Sequence, residues 1–514
     1  MSIARRMVSG NLAGLASIGI NLGGQVLLVP LFLLHWSTAQ YGVWLGLLTA
    51  VGVIQLIDNS HLDYVGFACM KLPSADRAGR SQIFWDALPA LALSAAAELI
   101  LLTALLFSPL MPALFSLPAD APDVATIRMA LAGLAITNYF FLFPVQLIGR
   151  VLASMGHYPA TAWWYAATQS AQLLFPALAV MLGAGLGGAA IAMAAGTIVM
   201  QTICLLSYLR LARAEGLTRR RPQVSAGLSR LGSGLMLGVS NLLENLQQTG
   251  FRLILLPFLG PIKLVQFSTM RTVANVVQQG MLMLTNPSVP ELMRFVSDRD
   301  TARARMVMTA IIYVAVVVMC PGFVLLQAIV RPLFDAWTLG KVAFEPLSFV
   351  ALSASVLFTG LGQSARAITR GNNLIGVQIG AAFVSGTILM GLTFLLAPRV
   401  GLFGVALSLA MTEAIRSGLH MLAAGNWSRR HDFAFPRAPM LAAIACTTLT
   451  VAAMAAIALL PRYEFRLALA YVPPWIGMNL LFWRVIGEDE RSNIRRLAGS
   501  LGRRAGFGRR APAE

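Results

Sequence analysis

The stretch "GLGGAAIAMA", residues 185–194, returns later in the chain as "GLFGVALSLA", residues 401–410. Gly185/Gly401, Leu186/Leu402, Gly188/Gly404, Ala190/Ala406 and Ala194/Ala410 match at a constant offset of 216. A second pair precedes it: "LLVPLFL" around Pro30 is echoed by "ILLPFLG" around Pro257, and Gln40-Tyr41 by Gln266-Phe267, at offsets of 227 and 226. One such match is expected by chance among Gly- and Ala-rich helices. Two matches, in the same order and at nearly the same offset, point to an internal duplication, a pattern that recurs in membrane transporters.

The sequence around the repeats is apolar throughout. Of 514 residues, 57% are hydrophobic and 12% charged, about half the charged share of an average soluble domain. Fourteen segments reach the roughly 20 residues that cross a bilayer: 10–34, 41–68, 83–107, 124–148, 159–182, 186–209, 231–257, 264–289, 306–330, 346–368, 374–396, 400–424, 439–460 and 465–486. The expected fold class is therefore an all-α polytopic membrane protein of about 14 transmembrane helices, with two pseudo-symmetric six-helix lobes plus two C-terminal helices. The expected divisions are an N-terminal lobe at 1–215, a basic linker at 216–230, a second lobe at 231–425, two additional helices at 426–486 and a basic tail at 487–514. Six spans per repeat is an even number, so both repeats start on the same side of the membrane.

The net charge of +18 would point to nucleic acid in a soluble protein. Here its placement sets topology instead, and no nucleic-acid partner is expected. With the N-terminus in the cytoplasm, 29 of the 39 Lys and Arg fall on inside segments and seven outside, which leaves Arg252, Arg271 and Arg416 within spans. The positive-inside rule then puts both termini in the cytoplasm. The tail "RRLAGSLGRRAGFGRR" reads as a solvated anchor on anionic membrane lipids. The first apolar stretch after Arg5 and Arg6 is too long for the core of a cleavable signal. Cys69, Cys204, Cys320 and Cys446 show no pairing or metal spacing, and the five His are scattered; no metal or cofactor is expected.

Three spans carry polar stripes. In "NLLENLQQTGFRLILL", residues 241–256, Asn241, Glu244, Asn245, Gln248 and Arg252 share one helical face, and in the next span Arg271, Asn275, Gln278 and Thr285 do the same. Ser17, Asn21 and Gln25 form a milder stripe in the first span, at the repeat offset from Glu244, Gln248 and Arg252. A charge at the bilayer centre costs at least ~2.5 kcal/mol, so such residues face the bundle interior or a water-filled cavity. Glu244 and Arg252 stand about 12 Å apart along the axis, too far to pair directly without bridging. Polar packing remains the alternative to a hydrated passage. Glu413 and Arg416 are three residues apart and suit either a mutual pair or a substrate contact. Asp58, one turn from His61, and Glu98, in the third span, join Glu244 and Glu413 as candidates for ion coupling.

The segment "LHWSTAQYGVWLGLLTAVGVIQLIDNS", residues 34–60, resembles the oligosaccharide-lipid flippases, the polysaccharide transport branch of the multidrug/oligosaccharidyl-lipid/polysaccharide exporter superfamily. Tyr41, Gly42, Trp44 and Asp58 match that family's first loop and second span. "QFSTMRTVANVVQQGMLMLTNPSVPEL" and "GLFGVALSLAMTE" resemble its eighth span and the start of its twelfth. Asn59-Ser60 depart from the Leu-Gly often found there. The resemblance implies a V of two lobes around a central cavity and alternating access. It also implies transfer of an undecaprenyl-pyrophosphate-linked O-antigen, capsule or exopolysaccharide unit across the bacterial inner membrane, with polysaccharide polymerase and chain-length proteins as partners. Arg252 and Arg271 suit a pyrophosphate because guanidinium stays charged and binds phosphate oxygens bidentately. Asn21, Gln25, Asn241, Asn245, Gln248, Asn275 and Gln278 suit sugar hydroxyls.

Other readings stand beside this one. A proton- or sodium-coupled drug or cation antiporter of the same superfamily would use acidic cavity residues such as Asp58 and Glu244. The loop "ADRAGR", residues 75–80, resembles a major facilitator signature but has Leu72 where that signature has Gly. A membrane polymerase or ligase would need a large outer loop, whereas 108–123 is short and carries no catalytic-looking set. A scaffold without transport leaves the duplicated polar stripes unexplained.

Overall fold

The computed structural model describes residues 3–73, 76–116, 122–232, 251–285, 288–372, 374–433, 435–485 and 491. No strand occurs among them. The chain packs as two units, Met1–Thr269 with Asp335–Ala343, and Met270–Phe334 with Phe344–Glu514. Seven helices, or eight if a pair bent by 48° at Gly362 counts as one, are long and apolar enough to cross a membrane. Two of these, Asp123–Met181 and Ile375–Arg430, run 59 and 56 residues, well beyond the ~20 that one crossing needs. Each contains a break, at Gly156 (φ 96°) and at Val400–Gly401 (Gly401 φ 59°). The protein is a multi-pass helical membrane protein.

In the first unit, α1 (Ile3–His35), α2 (Thr38–Met70), α3 (Arg77–Phe107) and the short α4 (Leu110–Leu114) precede α5 (Pro122–Thr137), α6 (Phe143–Leu152), α7 (Tyr158–Met181) and α8 (Leu186–Ala214). A ninth helix, α9, covers 224–232. α1 lies along α7, α7 along α8, and α8 along α5. Small residues make these approaches feasible: a Cβ on Gly24 would meet Leu173 Cδ1 at 2.7 Å, and one on Gly196 would meet Phe175 Cγ at 2.5 Å. Helices in lipid gain little from the hydrophobic effect against one another, so close van der Waals packing across glycines holds them together.

α10 (Phe251–Thr285) is broken at Gly260, whose φ of 76° and ψ of 171° are open to glycine but not to residues with a Cβ. This one-residue turn is packed from outside the helix. A Cβ on Gly42 would lie 2.2 Å from the Pro261 carbonyl oxygen. Ser37 caps α2 by accepting from Gln40 N–H at 3.2 Å, and the Trp36 indole donates to Ala184 O at 3.0 Å. Phe32 stacks with Trp44 at 5.9 Å and lies 5.6 Å from Tyr41. The segment Asp335–Ala343 closes over α1 and α10. Trp337 Nε1 donates to Val26 O at 2.6 Å, Lys341 Nζ to Leu33 O, and Ala343 O accepts from Gln266 Nε2 at 2.8 Å. The conspicuous "HWSTAQYGVW" stretch is thus packing at a helix junction.

The second unit contains α11 (Ser288–Ser297), α12 (Thr301–Val314), α13 (Cys320–Trp337), α14 (Pro346–Leu361), α15 (Gln363–Gly371), α16 (Ile375–Arg430), α17 (Arg437–Leu459) and α18 (Glu464–Val485). α14 and α15 pack on α16, and α17 packs on α14 and α18. α14 is the most enclosed of these helices, with twelve of its 16 residues buried. The two halves of the sequence repeat end differently. Gly183, at φ 88°, terminates α7, with Ala184 N–H bonded to Ala179 O at 2.9 Å, and Gly185 is the extended N-cap of α8. The later copy has only the Val400–Gly401 break.

Candidate functional site

Asn241, Glu244, Asn245 and Gln248 lie outside the described residues. Arg252, the last member of that stripe, stands in the first turn of α10. Its Nε is buried and has no hydrogen-bond partner among the described residues. No carboxylate among them pairs with it either; the ionisable group that acts on it is the buried phenol of Tyr41. An unmet buried donor costs about 1–3 kcal/mol, and more when it is charged.

Beyond Gly260, α10 carries Arg271, Asn275 and Gln278, all half-buried, at spacings of four and three that keep them on one face. Thr285, the end of this stripe, is fully buried and its hydroxyl donates to Met281 O at 3.0 Å. It belongs to the helix packing. On α1, Asn21 is half-buried and Gln25 exposed, one turn apart, while Ser17 donates back to Ala13 O at 3.0 Å.

The acidic candidates divide by their surroundings. Glu413 and Arg416 form a buried pair, with Arg416 Nη2 at 2.8 Å and 2.6 Å from the two carboxylate oxygens. Thr359 on α14 donates to the same carboxylate at 3.0 Å. This ties α16 to α14 by neutralised charge. Glu98 is buried in α3 and accepts from the Tyr139 hydroxyl at 2.6 Å. The side chains of Asp58 and Glu244 fall outside what the structure describes.

One ionic centre escaped the sequence reading. Asp86, 1% exposed, accepts from Arg230 Nη1 at 2.8 Å, from Gln82 Nε2 at 2.7 Å and from Gln223 N–H at 2.8 Å. Around it the linker is fastened to the start of α3. Trp85 Nε1 donates to Thr218 O at 3.0 Å, Gln82 to Arg221 O at 3.0 Å, and Thr218 N–H to Ser81 Oγ at 3.2 Å. Glu215 joins Arg77 at 3.4 Å and His157 at 2.9 Å. The sequence did hold a signal: Asp86 lies with Glu98 inside the apolar segment 83–107, where an acid needs a partner. Arg80 of "ADRAGR" is similarly structural. It is buried and donates to the carbonyls of Leu72, Pro73 and Asp76 at 2.9–3.1 Å.

No family model matches this chain, and no curated protein matches it. Solved structures do. An inward-facing multidrug resistance MATE family transporter of the MOP superfamily aligns with a TM-score of 0.61 at 13% identity, over 80% of this chain and 94% of that one. The chain shares the fold of that transporter. The lipid II flippase MurJ, in an inward closed conformation, aligns with a TM-score of 0.60 at 13% identity, over 93% of this chain and 99% of its own. An outward-facing MATE family transporter gives 0.55 at 14% identity, over 82% and 97%. These neighbours are two MATE family transporters and a lipid flippase.

Proposed function

We propose that this protein is a flippase that moves an undecaprenyl-pyrophosphate-linked oligosaccharide, an O-antigen, capsule or exopolysaccharide repeat unit, across the bacterial inner membrane by alternating access, with both termini cytoplasmic. The observation that carries this reading is Arg252, a half-buried arginine whose buried Nε has no partner and whose charge no carboxylate offsets among the described residues. Pyrophosphate supplies an anion, and the guanidinium fork donates to two of its oxygens at once. Arg271 adds a second cation on α10, and Asn275 and Gln278 offer donors and acceptors to sugar hydroxyls without fixing one sugar. Asn21 and Gln25 on α1 extend the polar set.

One observation favours the ion-coupled antiporter of the same superfamily. Glu98, buried and hydrogen-bonded to Tyr139, is a carboxyl placed to hold a proton inside a helix bundle. Reconstituted liposomes separate the two readings. Movement of a labelled pyrophosphate-linked oligosaccharide between leaflets, present in the wild type and lost in Arg252→Ala, supports the flippase. Proton-driven efflux of organic cations with no leaflet exchange supports the antiporter and overturns the assignment of Arg252.

A further inference from the structure

Far along the sequence from Arg252, three connections of the second unit enclose a cleft of about 520 Å³. They are the α11–α12 turn, the end of α15 and the end of α16. Its floor is built. Gly371 sits so close to Met293 that a Cβ there would be 2.1 Å from the sulfur, and Phe433 is buried with Leu292, Ala304 and Ile368. Arg299, Arg430 and His431 line the cleft with Trp427, Asp432 and Asn372. The basic loops that form it are those the positive-inside pattern assigns to the cytoplasmic face.

The charge in this cleft is arranged unlike that of its surroundings. Arg294 pairs with Asp298 at 3.7 Å, Arg303 with Asp300 at 3.4 Å, and Arg429 with Asn426. The acids of the α11–α12 turn thus face neighbouring arginines, and no carboxylate among the described residues pairs with Arg299 or Arg430. Arg299 and Asp432 both hold left-handed backbone conformations, φ 57° and 53°, which for residues with a Cβ cost energy and gather at functional sites. His431 stacks on Trp427 with ring centroids 4.4 Å apart, and its Nδ1 lies 2.9 Å from Trp427 O. Nδ1–H therefore donates to that carbonyl, and in this tautomer Nε2 accepts, which suits a hydroxyl or a P–OH of a phosphate ester rather than a bare phosphate oxygen.

We propose that this cleft binds a phosphate group, held by Arg299, Arg430 and His431. Two guanidinium groups and an imidazole around a pocket of this size match a phosphate ester. The source is either an anionic phospholipid headgroup or a soluble phosphorylated compound. The full chain in nanodiscs distinguishes them. In one arm, native mass spectrometry counts phosphatidylglycerol molecules retained from mixed phosphatidylglycerol and phosphatidylcholine discs. In the other, pyrophosphate is titrated against the chain in phosphatidylcholine discs while deuterium uptake of residues 427–433 is followed. Tight retention of one phosphatidylglycerol per chain, weakened about tenfold or more in Arg299→Gln/Arg430→Gln, assigns the cleft to a lipid, since losing two charge-assisted contacts weakens binding by at least that factor. Protection of 427–433 by pyrophosphate, lost in the same variant, assigns it to a soluble ligand. Arg219→Gln/Arg220→Gln, which removes two exposed charges elsewhere, is expected to change neither result. Equal loss in both double variants, or neither phosphatidylglycerol retention nor protection of 427–433 by pyrophosphate in the wild type, overturns the proposal. The wild-type exchange measurement stands even if a variant fails to fold.

Discussion

Arg252, in the first turn of α10, has no counter-charge among the described residues, whereas Arg416 in α16 holds both oxygens of Glu413 through one guanidinium nitrogen. Each has a buried Nε without a partner among the described residues, so hydrogen bonding alone does not separate them. Compensation of charge does. Arg416 sits in a closed unit of Arg, Glu and Thr359 that joins two helices. Arg252 sits beside Tyr41, a neutral group at ordinary pH. On the proposed reading the neutralised pair serves packing, and Arg252, uncompensated among the described residues, awaits an anion.

Mutations break or sharpen this contrast. The largest effect is expected from Arg416→Ala, which strands Glu413 in the bundle and should cost about 3–5 kcal/mol, read as a lower unfolding midpoint in detergent. Glu413→Leu/Arg416→Met should restore that stability and retain transport; loss of transport in a stable double variant would make the pair functional. Next comes Asp86→Asn, which weakens a charged hub worth about 1.5–3 kcal/mol per bond. It should free the linker, seen as faster tryptic cleavage at Arg219–Arg221, and an unchanged cleavage rate would show that the clamp does not depend on this charge. Arg252→Ala should have the opposite sign from Arg416→Ala. It leaves stability equal or raises it by about 1–3 kcal/mol, the cost of an unmet buried donor, while abolishing transport. Arg252→Lys keeps the charge but loses the bidentate fork, and should transport at an intermediate rate. The smallest effect is expected from Tyr139→Phe, about 0.5–1.5 kcal/mol from the bond to Glu98; transport that becomes independent of a proton gradient in this variant would tie Glu98 to coupling.

Hydropathy made the helical membrane class legible, because a bilayer admits few alternatives for a chain this apolar. Local spacing made Glu413–Arg416 legible as a geometric option, since three residues bring two side chains to the same face. What sequence could not convey was non-local. Asp86 and Arg230 are separated by 144 positions, and nothing in the basic linker announces which acid it will meet. Arg80 resembled a signature or a topology signal, yet its five-donor fork is used on the carbonyls of its own loop. The count of spans is harder to read for a related reason. At Gly156, Gly260 and Gly401 the chain turns within one or two residues, so no polar loop marks the boundary.

Those glycine turns also decide where the protein can be handled. An epitope or fluorescent protein inserted at Gly260 would have to displace a residue at φ 76° and push Gly42 from the Pro261 carbonyl, 2.2 Å from where its Cβ would stand. Insertions succeed at exposed loop tips where little backbone bonding is lost, and such one-residue turns offer none. The exposed Arg219 and Arg220 are a better place, because the clamp around them is made by Thr218, the Arg221 carbonyl and Gln223. A reporter placed there would follow the linker while leaving every helix junction intact.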